Sequence, residues 1–298
     1  MEQTSTTTTS KNEFVMRPVV DFCFKELMRN EKVRKGFVAA LLPVSPEQIK
    51  DTTLLPTELE KNELDGKLGI LDVRVSLSDG TQMDLEVQVR YFKYWDERAI
   101  FYLCKMAAGQ LKEGDSYGKL QKCIHVSILD FIHYPEDNHC YRTIHLIDEK
   151  TGKIYNDKLE LKILELKKLG KSMPDQEDIA SWMKFFLGRR KEEFEEMAKT
   201  NEYLEEACKE LFHLSEDEKM RLKYQAREKA IMDYNTQMES AKEDGIEEGL
   251  RKGIEALILD NLEDGCPRER ILLKLQKRFN LTAAEAEKHF RQISGEHS

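Results

Sequence analysis

The chain has 298 residues, 47 Lys+Arg against 56 Asp+Glu, a net charge of −9, and 35% charged and 8% aromatic residues. That length exceeds one mixed domain of about 150 residues and leaves room for a second unit. No apolar run approaches the roughly 18 residues of a bilayer-crossing helix, so no membrane span is expected and a cytoplasmic location is.

The acidic balance is uneven. Residues 1–134 hold 18 basic and 20 acidic residues, leaving 29 and 36 for the remainder. The first part is thus close to neutral, which neither argues for a polyanionic partner nor against one, since a cation bound to an acidic site offsets its charge. The six cysteines show no CxxC spacing and mostly sit within apolar patterns, as buried reduced thiols do.

Residues 1–13, MEQTSTTTTSKNE, have neither a basic nor an apolar segment and are expected to be a disordered leader rather than a signal peptide. From 19 to 42, Val20, Phe24, Leu27, Met28, Phe37, Val38, Leu41 and Leu42 follow helical spacing, ended by Pro43 and Pro46. One or two helices are expected there. Next, ILDVRVSL (70–77) and QMDLEVQVR (82–90) alternate apolar with polar around Ser78-Asp79-Gly80, the pattern of a β-hairpin. Residues 95–112 return to helical spacing. CIHVSILDFI (123–132) is a nearly continuous apolar run suited to a buried central strand, and YRTIHLID (141–148) and DKLELKILEL (157–166) alternate around Thr151-Gly152.

Strand signals stop near residue 170. Helix starts follow at Asp175, at Ser215 with Glu218, at Pro267, and at Thr282 with Glu285, the Ser/Thr–Glu pairs reading as capping boxes. The expected division is a mixed α/β core over 14–170 and a helical extension over 171–298. Within that extension Ala241, Gly245, Gly249 and Gly253 recur every four residues beside Ile246, Leu250, Ile254 and Leu257. Each interior glycine costs a helix about 0.5–1 kcal/mol, so the stripe points either to close approach of another helix, such as that of a homodimer partner, or to a loosely packed hinge. The two short terminal helices carry Lys and Arg but also Glu269, Glu285 and Glu287, and a structural role suits them better than DNA reading.

The hairpin carries the chemistry. On its second strand Asp84, Glu86, Gln88 and Arg90 share the face opposite Leu85, Val87 and Val89; on its first, Asp72 lies opposite Val73, Val75 and Leu77 in phase. A three-residue loop with Gly80 left-handed pairs Leu77 with Thr81 and sets Asp72 across from Glu86, whereas a two-residue loop would put Val87 there. Opposed Cβ atoms lie about 4.5–5.5 Å apart, close enough for two carboxylates to hold one hard cation. The plainer alternative is a solvent-facing hairpin. On the following helix Arg98, Tyr102 and Lys105 fall at i, i+4 and i+7, a face suited to phosphate contact or to solvent with a tucked tyrosine.

DFCFKELM (21–28), GILDVRV (69–75), LEVQVR (85–90), DERAIFYLCKMAAGQLKEGDSYGKL (96–120), HVSILDF (125–131), ILELKKL (163–169) and SWMKFF (181–186), in this order and spacing, resemble the recombination-promoting nuclease/putative transposase family of PD-(D/E)XK nucleases. The resemblance implies a restriction-endonuclease-like α/β core, a mixed sheet flanked by helices, that hydrolyses DNA phosphodiesters with Mg²⁺, or Mn²⁺ as substitute. It further implies Asp72 and Glu86 as metal ligands, Gln88 at the position of the wider superfamily's Lys, Asp21 at the site edge, and Tyr102 and Gln110 as matching positions on the next helix. Because Gln brings no charge, Arg90 or Lys25 is expected to supply the missing cation, and Lys25, Arg90, Arg98, Tyr102 and Gln110 are the expected DNA contacts. The competing expectations are a non-catalytic DNA-binding or interaction protein with a degenerate nuclease core, and a structural oligomerisation module.

Overall fold

The computed structural model describes residues 14–59 and 69–295; the expected leader lies outside them. The first helical run becomes two helices, α1 (Asp21–Arg29) and α2 (Glu31–Leu41). Asn30 divides them: its extended backbone ends α1, and its side-chain oxygen accepts the N–H groups of Lys32 and Val33 at 3.0 and 3.2 Å, capping α2. Arg34, only 5% exposed, clamps this corner. Its guanidinium donates to the carbonyls of Met28 (2.7 Å) and Arg29 (3.2 Å), which the end of α1 leaves without helical partners, and to the carbonyl of Thr52.

The strands follow as β1 (Thr52–Leu55), β2 (Glu58–Leu59), β3 (Gly69–Ile70), β4 (Val73–Leu77) and β5 (Gln82–Gln88); then come α3 (Trp95–Ala108), β6 (Cys123–Leu129), β7 (Tyr141–Ile147) and β8 (Ile154–Glu165). β2 and β3 form a small separate pair, and the other six make a mixed sheet in the order β1-β4-β5-β6-β8-β7. β5–β6 and β6–β8 are parallel, the remaining pairs antiparallel. The hairpin's second strand is therefore interior. All seven residues of β6 are buried, as its apolar run leads one to expect. α3 packs over β6 and β8, while α1 meets β5 and α2 meets β1.

Helices α4 (Glu177–Leu187), α5 (Lys191–Ala198) and α6 (Glu202–Glu216) come next, followed by α7 (Glu218–Glu263), α8 (Arg268–Phe279) and α9 (Ala283–Ser294). Strands end near residue 170 as expected, but α4 and α6 pack on α2, and α5 on α6, so the first compact unit continues to Glu228 and the second begins at Lys229. The expected helix start at Ser215 does not form. Ser215 lies inside α6, its hydroxyl donating to the Leu211 carbonyl and accepting the Met16 N–H at 3.0 Å, while Asp217 accepts the Met220 N–H at 2.8 Å and caps α7. A tertiary partner outcompeted the local cap. The Thr282–Glu285 capping box does form at α9.

In the second unit Ile254, Ile258, Ile271, Leu275, Ala286 and Phe290 make a core joining the end of α7 to α8 and α9. Gly253 faces Phe279 across this core, whereas Gly245 and Gly249 have open space beside them. None of the described helices is long and apolar enough to cross a membrane.

Replacing Arg34 by Met keeps much of the side chain's bulk but leaves buried carbonyls without donors. Arg34→Met is expected to lower unfolding stability by about 2–4 kcal/mol, read from the urea midpoint at constant slope. A midpoint unchanged from wild type would show that the clamp contributes nothing.

Candidate active site

The turn between β4 and β5 sets the site's register. Gly80 takes φ +86°, its N–H donates to the Leu77 carbonyl at 2.9 Å, and the Asp79 carboxylate accepts the Thr81 N–H at 2.8 Å. Leu77 donates its N–H to the Thr81 carbonyl at 2.8 Å, closing the three-residue loop. From there Ser76 faces Gln82, Val75 faces Met83, Arg74 faces Asp84 and Val73 faces Leu85. The paired ladder ends there, and Asp72 and Glu86 are the next residues along the two chains. β4 begins only at Val73, yet the Asp72 side chain still leans onto β5, its Oδ2 accepting the Val87 N–H at 3.3 Å.

β5 is interior and helices pack on the sheet, so its polar face is covered, unlike the solvent-facing alternative. Asp84 is fully buried and Glu86 is 1% exposed. The parallel register sets Asp84 beside His125 and Glu86 beside Ser127 on β6. Asp84 Oδ2 meets His125 Nδ1 at 2.7 Å, and Ser127 Oγ accepts the Trp95 indole N–H at 3.0 Å. Two basic side chains reach the outer carboxylates: Lys25 Nζ lies 2.8 Å from Asp72 Oδ1, and Arg98 Nη2 lies 3.3 Å from Glu86 Oε1.

The electrostatics follow from placing two buried carboxylates, Asp84 and Glu86, beside the partly exposed Asp72. Burial first, then the Asp84 charge, raises the Glu86 pKa to about 7; Asp72 adds to the rise, and His125 and Arg98 oppose it. Burial also pushes Asp84 upward against the pull of His125. For His125 burial acts downward, but the facing Asp84 charge and hydrogen bond, with Glu86, carry it above its ordinary value. Among the described residues, Asp84 Oδ1 and His125 Nε2 are buried without hydrogen-bond partners.

The remaining expected residues divide. Asp21 begins α1 one turn before Lys25, and Arg227 of α7 grips it with Nε and Nη2 at 2.7 Å to each oxygen. Tyr102 is buried, and the Arg98 guanidinium lies over its ring at 5.0 Å and over Trp95 at 5.6 Å, so the tyrosine supports Arg98 from within. Gln88 is half-buried at the end of β5 on the Glu86 face, its carbonyl accepting the Asp130 N–H at 2.9 Å, and Arg90 lies half-buried just beyond. Gln110 is not brought into this cluster. Its amide is tied to the Gln121 N–H at 2.8 Å and to Cys123 Sγ at 2.8 Å, next to the start of β6. Since Cys123 is level with Gln82, that is four strand residues, roughly 13 Å, from the level of Glu86.

Asp84, His125 and Arg227 belong to the cluster although the sequence reading assigned none of them a role. His125 and Ser127 were visible as two polar residues in phase within an apolar strand, but their neighbours depend on which strand lies beside β6. Arg227 carries no local signal at all.

Among the described residues no group of three or more His, Cys, Asp or Glu is arranged to hold a metal ion. Two carboxylates do suit one cation class. Mg²⁺ prefers hard oxygen donors and commonly uses only one or two protein carboxylates, keeping several waters. Asp72 and Glu86 supply such oxygens, each already facing a positive charge, and the raised Glu86 pKa marks a place where added positive charge is favourable. The donor set fits.

No curated protein and no solved structure matches the chain. A family model described as PD-(D/E)XK nuclease family transposase matches residues 18–241, a span that takes in α1, the whole sheet and every side chain of the cluster. With most of its length inside that match, the chain belongs to the PD-(D/E)XK nuclease family transposases.

Proposed function

We propose that this chain is a Mg²⁺-dependent DNA endonuclease, with Mn²⁺ as a working substitute, acting in DNA mobility or recombination in the cytoplasm. PD-(D/E)XK nucleases generally use divalent metals. The single observation that carries the reading is the Asp72 carboxylate, held against the N–H of Val87, the residue that follows buried Glu86. A divalent cation at Asp72 and Glu86 would supply a water of lowered pKa and charge compensation for the leaving oxygen.

The chain's own residues do the rest. Glu86 and Asp72 hold their oxygens in one place because strand register and a backbone N–H fix them. The Gln88 amide, in phase with Glu86, hydrogen-bonds the attacking water or a phosphate oxygen. Lys25 supplies the charge that Gln88 lacks: its ammonium already sits 2.8 Å from Asp72 and answers the negative charge that grows on the phosphate. Asp21, locked by Arg227, fixes the first turn of the helix that carries Lys25. Arg98, backed by Tyr102 and Trp95, positions Glu86.

The second reading, a non-catalytic DNA-binding or interaction protein with a degenerate nuclease core, is favoured by Gln88 and by the acidic balance of the chain beyond residue 134. Purified protein incubated with supercoiled plasmid separates the two. Wild type is expected to nick or linearise it with Mg²⁺ or Mn²⁺ and to leave it intact with EDTA. Asp72→Asn and Glu86→Gln are each expected to slow cleavage by at least about a hundredfold, and Lys25→Met by about ten- to a hundredfold with partial rescue in Lys25→Arg. Full activity in folded Asp72→Asn or Glu86→Gln protein would defeat the assignment.

The open face beside Gly245 and Gly249 suits a second copy of the chain, so the reading includes a homodimer formed through α7. Light scattering is expected to give twice the chain mass for the full-length protein and a single chain mass after truncation at residue 235. A monomeric full-length protein would remove the dimer.

A further inference from the structure

Between Gln88, the last residue of β5, and Trp95, the first of α3, the chain exposes three aromatic rings: Tyr91 (60%), Phe92 (39%) and Tyr94 (55%). Exposing so much ring surface forgoes burial that a short connection normally seeks. Nor is the segment loose at its ends. The Gln88 carbonyl accepts the Asp130 N–H at 2.9 Å, the Trp95 N–H donates to the Phe92 carbonyl at 3.2 Å, and Trp95 itself is buried with its indole on Ser127. Tyr91 stands edge-on to Phe131 at 5.7 Å, and Phe92 edge-on to Tyr94 at 6.1 Å.

Charge accompanies the rings. Residues 90–105 hold four basic side chains, Arg90, Lys93, Arg98 and Lys105, against Asp96 and Glu97, a local excess of positive charge in a chain of net charge −9. Asp96 is moreover engaged with the Tyr134 hydroxyl at 2.9 Å and His133 at 3.0 Å. Lys93 is exposed between the rings, its ammonium 5.5 Å from the centre of Tyr94.

We infer that Tyr91, Phe92 and Tyr94, with Lys93, form a stacking platform for an unpaired DNA strand, so that the preferred substrate of the proposed endonuclease carries unpaired bases beside the scissile phosphate. The inference rests on the endonuclease reading for the position of that phosphate. Aromatic rings interleaved with cations match the two surfaces a single strand offers, base faces and backbone phosphates. A continuous duplex hides its base faces inside the stack and meets such a surface only through its backbone. The platform is also continuous with the carboxylate cluster: the segment leaves β5 at Gln88 and enters the helix whose Arg98 touches Glu86.

The test is fluorescence anisotropy of the full-length protein in EDTA, so that nothing is cut, with a labelled single-stranded oligonucleotide and its duplex. Wild type is expected to bind the single strand about tenfold more tightly or better. Losing one stacked base corresponds to about fivefold or more, so Tyr91→Ala with Tyr94→Ala should weaken single-strand binding by at least about twenty-five-fold. Duplex binding should change by less than about twofold, and Tyr91→Trp with Tyr94→Trp should retain single-strand binding. Equal wild-type affinity for both DNAs, or single-strand binding by the Ala variant within about twofold of wild type, would overturn the platform. Plasmid cleavage lost in Asp72→Asn would leave the endonuclease reading standing in that event, whereas a wild type that stacks single strands but never cleaves would sink that reading and keep the platform.

Discussion

Three carboxylates, those of Asp72, Asp84 and Glu86, are forced into mutual repulsion at one end of an interior strand, and the arrangement around them exists to contain that repulsion. Two come from alternate positions of β5, both buried, and the third leans in from β4 onto a backbone N–H. Like charges meeting on a sheet are destabilising unless something answers them. Here the answers come from separate elements: Lys25 from α1, Arg98 from α3 and His125 from β6.

That division of labour ties the site to the whole first unit. α1 is held at its first turn by Arg227, 206 residues away in sequence, and at its end by Arg34 through the carbonyls of Met28 and Arg29. α3 is held by the buried Trp95 on Ser127. Loosening either helix would move a cation away from a carboxylate, so the packing of α1 and α3 is part of the site's electrostatics. The packing of α4 and α6 on α2 has the same meaning, since it supports the helical pair that delivers Lys25.

The register was readable because a local rule sets it. Ser78-Asp79-Gly80 admits a three-residue loop only with Gly80 at positive φ, and one residue more or less would have turned Glu86 away from the level of Asp72. The two helices before the hairpin and the buried central strand were legible from periodicity. What escaped depended on neighbours the sequence does not name. The alternation in QMDLEVQVR looks half-exposed, but helices packed on the sheet cover its polar face, and parallel pairing with β6 puts His125 against Asp84. Ser215 looked like a helix cap until Met16 competed for its hydroxyl. Gln110 entered only as a position matched by the family resemblance, and it lies just past the end of α3, where its amide meets Cys123 at the start of β6.

The account stands on Asp72 and Glu86 gripping one cation together. Isothermal titration of Mg²⁺ and Mn²⁺ into folded wild type, Asp72→Asn and Glu86→Gln tests this directly, with circular dichroism as the check on folding. One saturable site in wild type, abolished by either substitution, is the predicted result. A wild type that binds neither ion, or a site that survives both substitutions unchanged, would contradict it.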